Sequence, residues 1–134
     1  MIDIKSIRRG EIYLTDLGEE KNIGSEQRGF RPTVIIQNDI GNYHSPVTIV
    51  AVITSKDKPS LPTHFRIKSC DPNSHEQWNT VALEQVRTVD KTRLVKKVGE
   101  LRDEEIDQLN RCIRVSMGLP IETKNREEKP TSIV

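Results

Sequence analysis

The chain has little with which to build an aromatic core: one Trp, two Tyr and two Phe among 134 residues, with hydrophobic residues at 34%. The core must be small and aliphatic, within one domain of the usual ~100–150 residues. No apolar run approaches the ~20 residues a spanning helix needs, which excludes a helical membrane span. The start, Met1-Ile-Asp-Ile-Lys-Ser-Ile-Arg-Arg9, has early charges and no apolar stretch of ~7–15 residues, so no secretory signal is expected and the protein is read as cytoplasmic. Two cysteines, Cys70 and Cys112, are too few and too far apart for a disulfide framework. An excess of one charge is missing too: 21 Lys and Arg stand against 20 Asp and Glu, which argues against a polycation that coats nucleic acid or anionic membrane. There is no Walker loop, dinucleotide glycine fingerprint or His-Glu-x-x-His pair. Cys70, Asp71 and His75, even with His64, match no zinc spacing, so neither metal nor cofactor is expected.

What charge there is lies unevenly. Residues 31–68 carry five positive and two negative side chains, while the blocks on either side are balanced to within one. That block is also the most strand-like. Ile12 and Leu14 alternate with Tyr13 and Thr15 in a first strand over Glu11–Leu17, after a turn at Gly10. A polar loop from Gly18 to Phe30 follows, with glycines at 18, 24 and 29; loops of this length, about a dozen residues, are usually functional or disordered. Arg31-Pro32 opens a second strand, Thr33–Asn38, and Asp39–Pro46 reads as a turn-rich connection. Val47–Thr54 is almost continuously β-branched and is expected to be the central strand, covered on both faces. In Thr63–Lys68 the residues Thr63, Phe65 and Ile67 point in, and His64, Arg66 and Lys68 point out. Ser69–Asn79 reads as a loop, Thr80–Thr88 as a strand, and Leu94–Leu101 as a weaker one.

Ile106, Leu109, Ile113 and Met117 form one helical stripe. Asp103, Glu104 and Glu105 suit its first turn, and Gly118 and Pro120 stop it. Beyond, Pro120–Val134 is polar and aperiodic, an expected disordered tail on a domain of residues 1–119. The sum is a mainly β domain of five or six short, mostly antiparallel strands in a small barrel-like sheet, with a C-terminal helix.

Gly24-Ser-Glu-Gln-Arg-Gly-Phe-Arg-Pro32 is the informative segment. It brings a carboxylate, an amide and two guanidinium groups to the mouth of a strand, as a solvated hairpin or as a phosphate-handling loop. An Arg fork suits phosphate, and glycine lets backbone approach a ligand. His44 and His64 read as solvated, although His64 lies in the basic block and within reach of a phosphate.

Gly24-Ser25-Glu26-Gln27-x-Gly29-x-Arg31-Pro32 is followed by Ile36-Gln37-Asn38-Asp39, Ile53-Thr54, Leu61-Pro62-Thr63-His64 and Leu83-Glu84-Gln85-Val86-Arg87-Thr88. In order and spacing, from about Arg9 to about Leu119, this resembles the MazF/PemK family of bacterial toxin endoribonucleases. The resemblance implies an SH3-like barrel, a homodimer, metal-independent cleavage of single-stranded RNA, and a small MazE-like antitoxin as partner. It places the catalytic residues at Arg31, Thr54 and Glu26, and the substrate-binding residues at Ser25, Gln27, Arg28, His64, Gln85 and Arg87. Ser69–Asn79, with Trp78, matches no pattern of the family. A CcdB-like protein that binds DNA gyrase and a catalytically inert RNA-binding barrel are the alternatives, and neither needs the set Glu26, Arg31, Thr54 and Gln85.

The implied chemistry fits these residue types. RNA supplies its own nucleophile, the 2′-OH, so the protein must deprotonate it, stabilise the phosphorane and protonate the leaving 5′ oxygen. Arg31 suits the second task and, by its donors, the third; the Thr54 hydroxyl can bond a nonbridging oxygen. The base is open between Arg31 and Glu26, since a guanidinium of pKa above ~12 is neutral in fewer than about one in 10⁵ molecules at pH 7, while a carboxylate near ~4.3 is a weak base.

Overall fold

The computed structural model describes residues 6–18, 29–54, 61–68 and 79–121. The expected tail from residue 122 onward and most of the loop expected at Ser69–Asn79 lie outside these residues, as does the connection 55–60. The strands are β1 (Glu11–Asp16), β2 (Phe30–Ile35), β3 (Val47–Thr54), β4 (His64–Arg66), β5 (Thr80–Asp90) and β6 (Leu94–Glu100), with helices α1 (Asp39–His44) and α2 (Asp103–Met117). They form one antiparallel sheet in the order β4-β5-β3-β2-β1-β6. Its edges β4 and β6 do not pair with one another, so the sheet is barrel-like by its curl rather than by closure. The β-branched run of β3 lies third from one edge and is buried on both faces, as its composition required.

Period-2 alternation splits the core in two. Ile12, Val34, Ala51, Ile53, Phe65, Val81 and Leu83 face α2, whose Leu109 and Cys112 complete that cluster. Tyr13, Leu17, Ile35, Val50, Val52, Val89 and Leu94 pack on the opposite, concave face together with Ile7. The curl is held by cross-face bonds: Arg87 Nη1 of β5 donates to Leu17 O just past β1 (3.0 Å), although two strands separate β5 from β1 in the sheet.

Two expectations are corrected. The connection after β2 is a helix, α1, despite its turn composition: Asn38 caps it by accepting from Gly41 N (2.8 Å), and Asp39 Oδ1 accepts from Arg9 N (2.7 Å). In α2 the buried stripe turns through Cys112 to Ser116, whose hydroxyl donates to Leu83 O (2.7 Å), and Met117 is left exposed. The left-handed Gly118 turns the chain there, with Leu119 N donating to Arg114 O (2.8 Å). No described helix is long and apolar enough to cross a membrane.

Candidate active site

On the concave face the register lines up one polar row across the sheet. Arg66 of β4 pairs with Thr80 of β5, and Thr80 pairs with Thr54 of β3. Strands β2 and β3 pair from Ile35 and Val50 to Thr33 and Val52; Arg31 and Thr54 each follow that last pair by two residues, on the same face of the sheet. Arg31 in turn pairs with Thr15 of β1. The alternate residues Phe65, Val81 and Ile53 face α2, which fixes the row on the other side. Neighbouring strands lie about 4.8 Å apart, so the Arg31 and Thr54 side chains can meet on one phosphate. Arg31 is half-buried, and Thr54, only 5% exposed, forms the floor beside it. Next to them Thr15 and Thr33, both fully buried, share a 2.8 Å hydroxyl contact, and the hydroxyl that accepts there is free to donate to Tyr13 O, so the floor is held by internal bonds.

The loop that carries the other expected residues rises from a fixed stem next to Arg31. Leu17 N donates to Gly29 O (2.9 Å) and Gly29 N to Gly18 O (2.7 Å), with φ of 97° at Gly18 and 82° at Gly29. Any other residue would be strained at either position. Arg87 and Arg93 fasten the stem by donating to Leu17 O and Asp16 O. Arg87 thus anchors the loop base. Ser25, Glu26, Gln27 and Arg28 lie outside the described residues.

His64 is not the solvated histidine expected from its outward position in the alternation. Its side chain is 4% exposed, with Nε2 2.6 Å from Glu84 Oε2, while Thr63 Oγ1 donates to Glu84 Oε1 (2.9 Å). Burial pushes the Glu84 carboxyl up, but hydrogen bonds from His64, its own backbone N–H and Thr63 outweigh this, and the group ends below the usual carboxylate range. The clamp sits on a wide bulge. Ala51 faces Val86 while the next residue, Val52, faces Ala82, so Leu83, Glu84 and Gln85 are extra residues on β5. Gln85 is half-buried on this bulge, held next to the clamped Glu84. Neither the bulge nor the Glu84 clamp shows in the residue pattern, because both depend on long-range register. Arg66 and Thr80 are absent from the expected set; the outward phase of β4 signals Arg66 alone, and Thr80 joins it only through the β4–β5 register.

Among the described residues, no group of three or more His, Cys, Asp or Glu could hold a metal ion. A shallow cavity of about 250 Å³ lies on α2, lined by Asp107, Asn110, Arg111, Arg114 and Ile121. It opens on the far side of the sheet from the row and offers no reactive pair.

Comparison with known proteins agrees with this arrangement. The pattern of the family described as "PemK-like, MazF-like toxin of type II toxin-antitoxin system" matches residues 8–117. The chain is 45% identical over 114 residues to the endoribonuclease MazF of Staphylococcus saprophyticus, covering 84% of this chain and 92% of that one. It is 43% identical to the endoribonuclease EndoA of Bacillus subtilis, covering 84% and 96%. Its fold is that of a mycobacterial endoribonuclease solved in complex with its cognate antitoxin, at a TM-score of 0.71 and 23% identity, over 87% of this chain and all of that one. With the family pattern matched over residues 8–117 and relatives 45% and 43% identical over most of its length, the chain belongs to the PemK/MazF family of toxins of type II toxin–antitoxin systems.

Proposed function

We propose that this protein is the toxin of a toxin–antitoxin pair and cuts single-stranded RNA without a metal, in the cytoplasm, leaving a 2′,3′-cyclic phosphate and a 5′-OH. The observation that supports the reading is that Arg31 and Thr54 follow the paired Thr33 and Val52 by two residues on one face of the sheet, next to the buried Thr15–Thr33 contact. Bound across this pair, a phosphate takes the Arg31 fork on one side and the Thr54 hydroxyl on the other. The fork gains most when the 2′-oxygen has added and charge builds on the equatorial oxygens, so it favours the phosphorane over the ground state. Its remaining N–H donors lie within reach of the departing 5′ oxygen.

For the base, protonation arithmetic favours Glu26: at pH 7 a carboxylate is almost wholly ionised, whereas fewer than about one guanidinium in 10⁵ is neutral. The described acid on this face, Glu84, is unsuited. Its lowered pKa and its commitment to His64 and Thr63 make it a holder rather than a proton acceptor.

The active unit in this reading is a homodimer, since one small sheet offers little surface for several nucleotides. The antitoxin is a MazE-like protein with a segment that orders on binding and excludes RNA. The test is cleavage of an end-labelled single-stranded RNA in EDTA, with identification of the new ends. The expected products are 2′,3′-cyclic phosphate and 5′-OH; cutting that vanishes in EDTA and returns with Mg²⁺, or ends bearing 5′-phosphate, overturns the proposal.

A further inference from the structure

The excess positive charge of residues 31–68 is not accounted for by the Arg31–Thr54 pair. Of its five cations, Arg31, Arg66 and Lys68 lie among the described residues. Its described acid, Asp39, is turned to the other end of the fold, where it accepts from Arg9 N and Asn42 Nδ2. Arg66 shares a cross-strand row with Thr80, Thr54 and Arg31 on the concave face, and it is exposed. Lys68 follows it two residues later and is exposed as well. Strands β5 and β3 lie between β4 and β2, so at about 4.8 Å per interstrand step Arg66 is on the order of 14 Å along the sheet from the Arg31 strand, with both residues on the same face by strand phase. Among the described residues β4 is a sheet edge, and no described strand continues the row beyond Arg66.

We propose that Arg66 is a positioning residue for substrate: single-stranded RNA crosses the sheet along the row, at right angles to the strands, and Arg66 holds a backbone phosphate on one flank of the scissile one. This rests on the ribonuclease reading and adds to it a direction for the strand and a second phosphate contact. The two arginines differ in what they must do. Arg31 has to match the changing geometry of a phosphorane with a planar fork. Arg66 meets a phosphate that does not react, and for this a point charge serves nearly as well. Bound charge at Arg66 is shared equally by ground and transition states, so it lowers KM and leaves the bond-breaking step alone.

The experiment compares the full-length wild type with Arg66→Ala and Arg66→Lys on one oligoribonucleotide, in EDTA and over a range of salt. For Arg66→Ala we expect KM raised about five- to tenfold, the saturating single-turnover rate within about twofold of wild type, and a salt slope of log KM smaller by about 0.7, the release expected for one phosphate contact on a single strand. Arg66→Lys should restore most of the affinity. Methylphosphonates placed singly along the substrate supply a probe that needs no protein variant. One flanking linkage should weaken wild type to the same degree and add nothing to Arg66→Ala, an outcome that mere loss of folding would not produce. Unchanged KM and salt slope in Arg66→Ala, or equal sensitivity of both proteins to every methylphosphonate, overturns the assignment. A wild type that fails to cut in EDTA sinks the ribonuclease reading instead, so the two failures are told apart.

Discussion

Two polar regions sit at opposite ends of the same sheet, and they put similar side chains to different use. At the α1 corner, Asn42 is fully buried: its amide donates to Gln37 O (2.9 Å) and Asp39 Oδ1 (3.2 Å), and its Oδ1 accepts from Gln37 Nε2 (3.1 Å) and Thr48 Oγ1 (2.7 Å). Lys91, 2% exposed, donates its ammonium to Asn42 O and its backbone N–H to Pro46 O. Arg9 ties the corner to α2 through Ile36 O and Asn110, and burial pulls its pKa down despite Asp39. Each of these side chains bonds to groups within the protein, which fixes the corner. The Arg31 row is built on buried threonines too, but it ends in guanidinium groups that are half-buried at Arg31 and exposed at Arg66. What separates architecture from chemistry here is whether the charge terminates inside the protein or at its surface. Residue type does not distinguish them.

The strongest way to break that contrast is Asn42→Ala. It removes both halves of the side-chain amide and orphans the Thr48 hydroxyl and one Gln37 donor, so a stability loss of about 3–4 kcal/mol is expected by chemical denaturation. At a temperature where the variant is folded, its single-turnover cleavage should stay within about twofold of wild type. A rate that fell in step with stability would mean that the corner feeds the site.

None of this corner was legible beforehand. Gln37, Asn38 and Asp39 stood out only as part of a family motif, and Gly41 and Asn42 are poor helix formers, so α1 exists through its cap and the groups packed beneath it. Lys91 sits in a charged stretch, Asp90-Lys91-Thr92-Arg93, where burial is the last thing composition suggests. The strands were legible because each buries a face with period 2, a local signal that needs no partner. The site was legible in part through the family motifs, which pointed to Arg31 and Thr54, whereas the β5 bulge and the cover over His64 arise only from pairing distant segments.

Arg31 sharpens the other side of the comparison. Arg31→Lys keeps the charge and loses the fork, so it and Arg31→Ala should both lose on the order of 10² to 10³ in single-turnover rate, the scale for removing one preorganised donor. Thr54→Val keeps the shape and removes a neutral donor, for a loss of about tenfold to 10²-fold. Melting temperatures should hardly move for the Arg31 variants. Near wild-type cutting by Arg31→Lys would show that charge alone suffices, as argued for Arg66, and the distinction between the two arginines would collapse.

The smallest effect belongs to Glu84, which lies between the two extremes: clamped like the corner, yet with a side chain 37% exposed on the face of the row. Its carboxyl is lower in the folded protein than in an unfolded chain, so folding favours the ionised form. The sign follows from linkage: Glu84 adds stability above its unfolded pKa of about 4.3, and that contribution fades as pH falls through the lower folded value. Glu84→Gln cannot titrate. Unfolding free energies by denaturant should therefore show a wild-type advantage that is constant from neutral pH down to about 5 and shrinks below about 4.3. Solvent screening at a partly exposed carboxylate keeps the advantage small. The same variant weakens the acceptor that holds the His64 ring, so it should loosen the bulge that carries Gln85 and raise KM modestly with little change in the saturating rate. An advantage that grew in acid would mean that the carboxyl is protonated in the folded state, and the clamp would then be a neutral hydrogen bond.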